Sequence, residues 1–284
     1  MRTKVALLAV ASQAGCTGPN PAYHPQAPEP DAASAADVAA PVLAPDTAAP
    51  APDLAPPAPD AAPPDAPAGG PTGLLAHWRL DEPAGLAVLD DTGANPGVLH
   101  NGVARVASGF PAAHFPNAGA ASFDGVDDYV DLGVATLPPM QAAKSVSLWC
   151  QLRTAVTMGR RNLLVFNNRT EEESLQLGLE RGYPAVWRWG TDPAIIIAQD
   201  LLDTGWHHLV YAYDGAVQRL YVDGVVAGTV DEAPPTAPVT SAHLGTYDPV
   251  DDRTELWSGL IDDVRIYDHA LGPAEIAWLA AGRD

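Results

Sequence analysis

Carboxylate side chains concentrate next to turn-forming residues at five places in this sequence. They are Asp81-Glu82, Asp90-Asp91, Asp124 to Asp131, Asp248 to Asp252 and Asp262-Asp263. Calcium binds about six to eight oxygen atoms from carboxylates and backbone carbonyls, and it accepts irregular geometry. Loops that carry these carboxylates are therefore candidates for a structural calcium site. The alternative is that the aspartates cap turns and keep the surface solvated.

Two other clusters carry acid–base groups, but their spacing does not favour catalysis. Glu171, Glu172 and Glu173 are contiguous before a predicted strand, so their carboxylates point to different sides and indicate a solvated loop. His207 and His208 are adjacent in another predicted strand, which directs them to opposite faces. The sequence also lacks a Gly-x-Ser-x-Gly motif, a Cys/His zinc spacing and a phosphate-binding glycine loop. We therefore expect no enzymatic activity.

Aromatic residues provide candidates for ligand binding. Trp187 and Trp189 flank Arg188 in a predicted strand, so both rings project from the same side. They could form a platform for a sugar ring, with Arg188 behind it. Tyr247 and Trp257 offer a second aromatic group beside acidic residues near the rim of the domain. The alternative for all of these rings is burial against an opposite sheet.

Alternating polar and apolar residues indicate that strands dominate the C-terminal three quarters of the chain. Asp214-Gly215 and Asp223-Gly224 favour tight hairpin turns, because both residue types tolerate positive φ. They predict an antiparallel meander of three strands, over Leu209–Tyr213, Gln218–Val222 and Val225–Ala227. The region Gly272 to Gly282 carries a helix signal, with proline in the first turn and glycine at the end.

The region before these strands has the composition of a disordered linker. Residues 17–72 contain 16 prolines, 18 alanines and seven acidic residues, but no tryptophan. Such a segment holds too little apolar surface to form a core, and its prolines favour extended polyproline II. All seven tryptophans lie in residues 73–284, which we expect to form one folded domain. The formal net charge of −20 argues against nucleic acid as a partner, because a negatively charged surface repels phosphate.

Residues 1–16 resemble a bacterial lipoprotein signal peptide. A cationic start precedes an apolar run from Val5 to Ala11 and the small residues that end at Cys16. The resemblance implies that Cys16 is lipidated, and Thr17 after it resembles lipoproteins of the Gram-negative outer membrane. Membrane contact would then occur only through this lipid, at the outer membrane or cell surface. Gln13 departs from the pattern, which leaves a cleaved signal and a secreted or periplasmic protein as the alternative.

Seven blocks of the domain occur in a characteristic order. They are His77 to Glu82, Ser122 to Val130, Val146 to Trp149, Trp206 to Val210, Leu220 to Gly224, Gly259 to Tyr267 and Leu271 to Ile276. This order resembles the laminin G-like, concanavalin A-like jelly-roll domains over nearly all of residues 73–284. The resemblance implies an all-β fold, an antiparallel jelly-roll β-sandwich with loops gathered at one rim.

The resemblance also implies a calcium residue. The stretch Ile261 to Tyr267 looks like the late strand of related jelly-roll glucanases, whose first aspartate holds a structural calcium ion. Carried over, that residue is Asp262. Asp124, in a tight Asp-Gly turn, and Asp81, at the end of the first strand, are expected to face the same ion. Calcium is thus the expected cofactor.

The activity has to be inferred from a site, because this fold serves lectins, adhesion modules and some glycanases. Those glycanases share a Glu-x-Asp-x-Glu-type strand that places two carboxylates on one face, and no such strand occurs here. We expect a non-catalytic, monomeric, surface-tethered module that binds a glycan or a cell-surface protein. A structural domain without a ligand is the first alternative, and a glycan-active hydrolase is the second.

Overall fold

The computed structural model describes residues 70–107, 109–110, 114–155, 157–166, 174–188, 195–197, 199–249 and 255–284. Several predictions fall outside these ranges, namely those for the signal peptide with Cys16, residues 17–69 of the linker, Glu171 to Glu173 and Trp189. All described residues belong to one compact unit. Within them, no helix has the length and apolar character needed to cross a membrane.

Two antiparallel sheets make up the described structure, which confirms the predicted all-β sandwich. The first sheet runs in the order β14 (Val225–Val230), β13 (Gln218–Val222), β12 (Trp206–Tyr213), β7 (Lys144–Leu152), β16 (Ser258–Tyr267), β5 (Ala120–Asp124) and β4 (Ala104–Val106), and β1 (Leu74–Trp78) also pairs with β16. The second runs in the order β11 (Ile195–Ile196), β10 (Tyr183–Arg188), β9 (Leu175–Glu180), β8 (Arg160–Phe166), β15 (Ala242–Leu244), β6 (Tyr129–Leu132), β3 (Gly97–His100) and β2 (Ala87–Val88).

The core lies between the two sheets and is filled by alternate residues of most strands. In the first sheet, Leu148 and Leu209 face the core, and Leu164 and Leu177 face it from the second sheet. Successive residues of a strand point to opposite faces, so burial of one set directs the other set outward. This alternation determines which side chains can build a site on the outer face of the first sheet.

The predicted meander and helix are both confirmed. Strands β12, β13 and β14 pair in sequence through the two Asp-Gly turns. The helix α1 (Pro273–Ala280) begins with its proline, and the Glu275 carboxylate accepts a hydrogen bond from the Gly272 amide at 2.8 Å. Its residues Ile276 and Leu279 pack with Val210 of β12, in a second buried cluster apart from the main core. The helix therefore covers one end of the outer face of the first sheet.

Candidate functional site

Four adjacent strands place a row of side chains on the outer face of the first sheet. Gln151 of β7 lies opposite Trp206 of β12 on one side and opposite Leu260 of β16 on the other. Leu260 in turn lies opposite Ser122 of β5. Directly opposed residues have Cβ atoms about 4.5–5.5 Å apart and share a face of the sheet. The register therefore assembles one surface from residues that are far apart in the sequence.

An open groove lies over this row, and we call it the outer groove. Its volume is about 370 Å³, and its lining residues are Val106, Ser122, Gln151, Leu152, Arg153, Thr204, Gly259 and Leu260. This volume falls within the range of small-molecule sites, which is about 300–1,000 Å³. Gly259 brings β16 close to β7, since a Cβ atom on it would lie only 2.1 Å from the Gln151 carbonyl oxygen.

Hydrogen bonds hold the polar side chains of the outer groove in place. Arg153 Nη2 donates to Ser122 Oγ at 2.9 Å, and Gln151 Nε2 donates to the Thr204 carbonyl at 2.8 Å. A guanidinium carries five N–H donors, whereas an amide and a hydroxyl both donate and accept. The outer groove therefore presents both kinds of hydrogen-bonding group from fixed positions.

An aromatic wall stands beside the outer groove. Trp206, next to Gln151 in the row, is half-buried, and its ring makes a T-shaped contact with that of Phe110, with centroids 6.4 Å apart. Phe110 also stacks on the buried Trp149 with centroids 4.3 Å apart. These contacts hold the Trp206 indole beside the polar groups of the groove. Sequence analysis did not select Trp206, Gln151 or Arg153, although outward alternation along β7 marks Gln151 as solvent-facing.

Asp262, the predicted calcium residue, is fully buried on the same outer face. Its Oδ2 accepts hydrogen bonds from the Phe110 amide at 3.1 Å and from Asn117 Nδ2 at 2.7 Å. Burial raises the pKa of this carboxyl to about 8. Asp262 thus anchors the segment that carries Phe110, which supports the aromatic wall.

The other two predicted calcium residues lie elsewhere. Asp124 pairs with Ser258, four residues before Asp262, which corresponds to roughly 13 Å along the strand. Asp81 lines a separate cavity of about 300 Å³, together with Glu82 and Arg105, which form an ion pair. The structure does not bring Asp81, Asp124 and Asp262 together. Instead, Asp124 clusters with Asp127 and Asp128.

The predicted aromatic ligand residues pack inside the protein. Trp187 and Trp257 are fully buried, and Tyr247 is almost fully buried. Trp187 also lies against the Arg160 guanidinium, 5.3 Å from its ring. Arg188 forms an ion pair with Glu232. These rings therefore occupy the core, which was the alternative stated for them. Trp187, Trp257 and Tyr247 offer no ring face to a sugar.

His207 and His208 lie on opposite faces of β12, as predicted. Each nitrogen of His207 lies 2.9 Å from a carboxylate oxygen, of Asp223 or of Asp203. The hydrogen bond with Asp223, supported by Asp203, raises the pKa of His207 to about 9. His208 is buried, 2.8 Å from Ser147 Oγ, and burial lowers its pKa to about 4. Both imidazoles are therefore engaged in contacts within the sheet.

The family model that matches this chain describes the concanavalin A-like lectin/glucanases superfamily, and it covers residues 124–277, just over half of the chain. No curated protein matches the sequence.

Several solved structures share the fold. Domain 4 of an extracellular arabinanase from Geobacillus stearothermophilus, in complex with arabinotriose, has a TM-score of 0.55 at 21% identity, covering 73% of this chain and 98% of that one. Trypanosoma rangeli sialidase with 2,3-difluorosialic acid has a TM-score of 0.59 at 15% identity, covering 75% and 33%. The receptor binding domain of botulinum neurotoxin D has a TM-score of 0.55 at 12% identity, covering 74% and 52%. The chain thus spans one complete domain of the arabinanase, but about a third of the sialidase chain and half of the toxin domain.

Proposed function

The chain belongs to the concanavalin A-like lectin/glucanase superfamily, and from this premise we propose that its sandwich is a non-catalytic module that binds a glycan in the outer groove. The row of Trp206, Gln151, Leu260 and Ser122 carries the proposal, because it combines an aromatic ring with positioned hydrogen-bonding groups. Glycan binding agrees with neighbours of the same fold, one of which was solved in complex with arabinotriose.

The chemistry of a sugar matches the outer groove. A sugar ring has an apolar face, which suits contact with an aromatic side chain, and a rim of hydroxyls that both donate and accept hydrogen bonds. Trp206, which lies opposite Gln151 beside the groove, would supply the aromatic contact. The lining residues Gln151, Arg153 and Ser122 would supply the polar partners. Because these side chains are already held by hydrogen bonds within the protein, little conformational entropy is lost when a ligand binds.

The lining of the outer groove argues against hydrolysis. Glycoside hydrolases use two carboxyl groups that flank the scissile bond. Among the lining residues that the structure describes, none is acidic. Asp262, a carboxyl on the same face, is buried and accepts hydrogen bonds from the Phe110 amide and from Asn117. We therefore assign recognition rather than catalysis to this groove.

A glycan array followed by isothermal titration calorimetry tests the proposal on the full chain. We expect saturable binding to at least one polysaccharide, and at least a tenfold loss of affinity in Trp206→Ala and Gln151→Ala. Arg181→Ala is the matched control, because Arg181 is exposed at the β9–β10 turn of the other sheet. Circular dichroism confirms that each variant is folded.

Three outcomes would overturn the proposal. The first is equal affinity in Trp206→Ala, Gln151→Ala and the wild type, which would place binding elsewhere. The second is that the folded protein binds none of the polysaccharides on the array, which would favour a structural domain without a ligand. The third is release of reducing sugar, which would identify a hydrolase.

A further inference from the structure

The turn between β5 and β6 carries three carboxylates, and we call it the acidic turn (residues 124–128). An oxygen from each of Asp124, Asp127 and Asp128 lies within 4.8 Å of the others. Backbone amides hold two of the side chains in place: Asp124 Oδ1 accepts from the Val126 amide at 2.7 Å, and Asp128 Oδ2 accepts from the Asp124 amide at 2.8 Å. The turn therefore holds like charges close together in a defined arrangement.

Asp128 gives an independent indication of a ligand, because it is buried. Only 2% of the residue is exposed, and its Oδ1 is buried with no hydrogen-bond partner among the described residues. Its other oxygen, Oδ2, accepts a hydrogen bond from the Asp124 amide, and the carboxylate lies within 4.8 Å of oxygens of Asp124 and Asp127. A buried carboxylate oxygen without a donor is costly unless a proton or a cation compensates it. A cation beside Asp128 would supply that compensation, and oxygens of Asp124 and Asp127 lie close enough to share it.

We propose that the acidic turn binds a calcium ion through Asp124, Asp127 and Asp128, independently of ligand binding in the outer groove. The donor set consists of carboxylate oxygens, which suits a hard cation. Zinc prefers nitrogen and sulfur ligands, and neither His nor Cys belongs to this cluster. Calcium is favoured over magnesium because a turn of this kind supplies an irregular oxygen set, whereas magnesium demands near-ideal octahedral geometry.

The position of the acidic turn suggests what the ion would do. The turn joins one strand of each sheet, and the Asn101 side chain of the neighbouring β3–β4 loop donates to the Asp127 carbonyl at 2.9 Å. An ion bound here would tie these segments at one edge of the sandwich. We therefore expect calcium to stabilise the folded state, since a ligand that binds only that state raises its apparent stability.

Titration of calcium chloride into the full chain, after removal of metals with a chelator, tests this site by calorimetry and thermal unfolding. We expect binding of one ion and an increase in Tm. Asp128→Asn should weaken calcium binding at least tenfold and abolish the Tm increase. Asp124→Asn tests the same site at an exposed side chain, in case the buried variant fails to fold. Asp231→Asn is the matched control, because Asp231 is exposed on a different loop.

Two results would overturn the proposal. One is the absence of both binding heat and Tm change when calcium is added to the wild type. The other is unchanged calcium affinity in folded Asp124→Asn and Asp128→Asn. Magnesium chloride, used at the same concentrations, is expected to bind more weakly, and tighter binding of magnesium would reject the choice of ion. Glycan binding is measured separately, so failure of one proposal leaves the other intact.

Discussion

At the scale of single residues, buried polar side chains on the outer face of the first sheet make hydrogen bonds that fix neighbouring segments in place. Asp262 holds the segment with Phe110 through two hydrogen bonds, and His208 lies within hydrogen-bonding distance of Ser147. His207 on the opposite face of β12 bridges Asp203 and Asp223. Removing one partner of such a group leaves another polar atom unsatisfied, so each contact affects stability beyond its own hydrogen bond.

His207 should make the stability of the domain depend on pH. Its pKa is about 9 in the folded protein, against 6.5 for an unperturbed imidazole, so folding is favoured by the protonated form. This stabilisation is fully present below pH 6.5 and is lost as the pH rises through 9. We expect His207→Gln to lower the free energy of unfolding by about 1–2 kcal/mol at pH 6, with the difference vanishing above pH 9 to 10.

Urea unfolding at a series of pH values measures this effect. His114→Gln serves as the control, because His114 is exposed. A destabilisation by His207→Gln that stayed constant from pH 6 to pH 10 would contradict the assignment, since loss of packing alone does not titrate.

At the scale of elements, strand β7 positions the site and helix α1 covers the other end of the same face. β7 pairs with β12 and β16 along most of its length, and its outward residues Trp149 and Gln151 reach the aromatic wall and the outer groove. The helix buries Ile276 and Leu279 against β12 and β13, and neither residue lines the groove. The two halves of the face are therefore separable by mutation.

Truncation of Ile276 should weaken the packing of the helix without removing the groove. Ile276 is fully buried, so Ile276→Ala loses its transfer free energy and leaves a cavity, for a cost of about 2–4 kcal/mol. Denaturant unfolding measures the loss. Val225→Ala removes apolar atoms from a site that is 68% exposed, and we expect it to change stability by less than about 0.5 kcal/mol. Equal effects of the two substitutions would show that the helix is not packed as described.

At the scale of the whole molecule, an acidic sandwich is expected at the end of a proline- and alanine-rich linker. The chain carries 35 acidic and 15 basic residues, so its surface disfavours phosphate-rich partners and suits neutral ones such as hydroxyl-rich sugars. We propose that Cys16 anchors this assembly to the membrane as a lipoprotein, which would present the groove at the cell surface.

Metabolic labelling with a palmitate analogue tests the anchor. We expect label in the wild type and none in Cys16→Ala, because the lipid would be attached through that thiol. Cys150→Ala should keep its label, since Cys150 is buried in the core. Equal labelling of wild type and Cys16→Ala would exclude the anchor and leave the cleaved export signal as the better explanation.

Much of the fold followed from local chemistry in the sequence. The Asp-Gly pairs predicted the meander because the turn from β13 to β14 needs positive φ, which Asp223 and Gly224 adopt at 50° and 84°. Proline after Gly272 predicted where α1 begins. Alternating polar and apolar residues over 174–180 predicted strand β9, although Gln176 on its polar side is buried as well. Each of these features depends on residues that are close together in the chain.

The site depended on contacts that no local pattern contains. Trp206, Gln151, Leu260 and Ser122 come from four strands, and only the register of β12, β7, β16 and β5 makes them neighbours. The same register separates Asp262 from Asp124 and buries Trp187 and Trp257. The sequence by itself determined that the domain is built from strands, and it located the turns of the meander and the C-terminal helix. The tertiary structure alone decided which outward residues meet, because packing of the complete sandwich sets the register between strands that are distant in sequence.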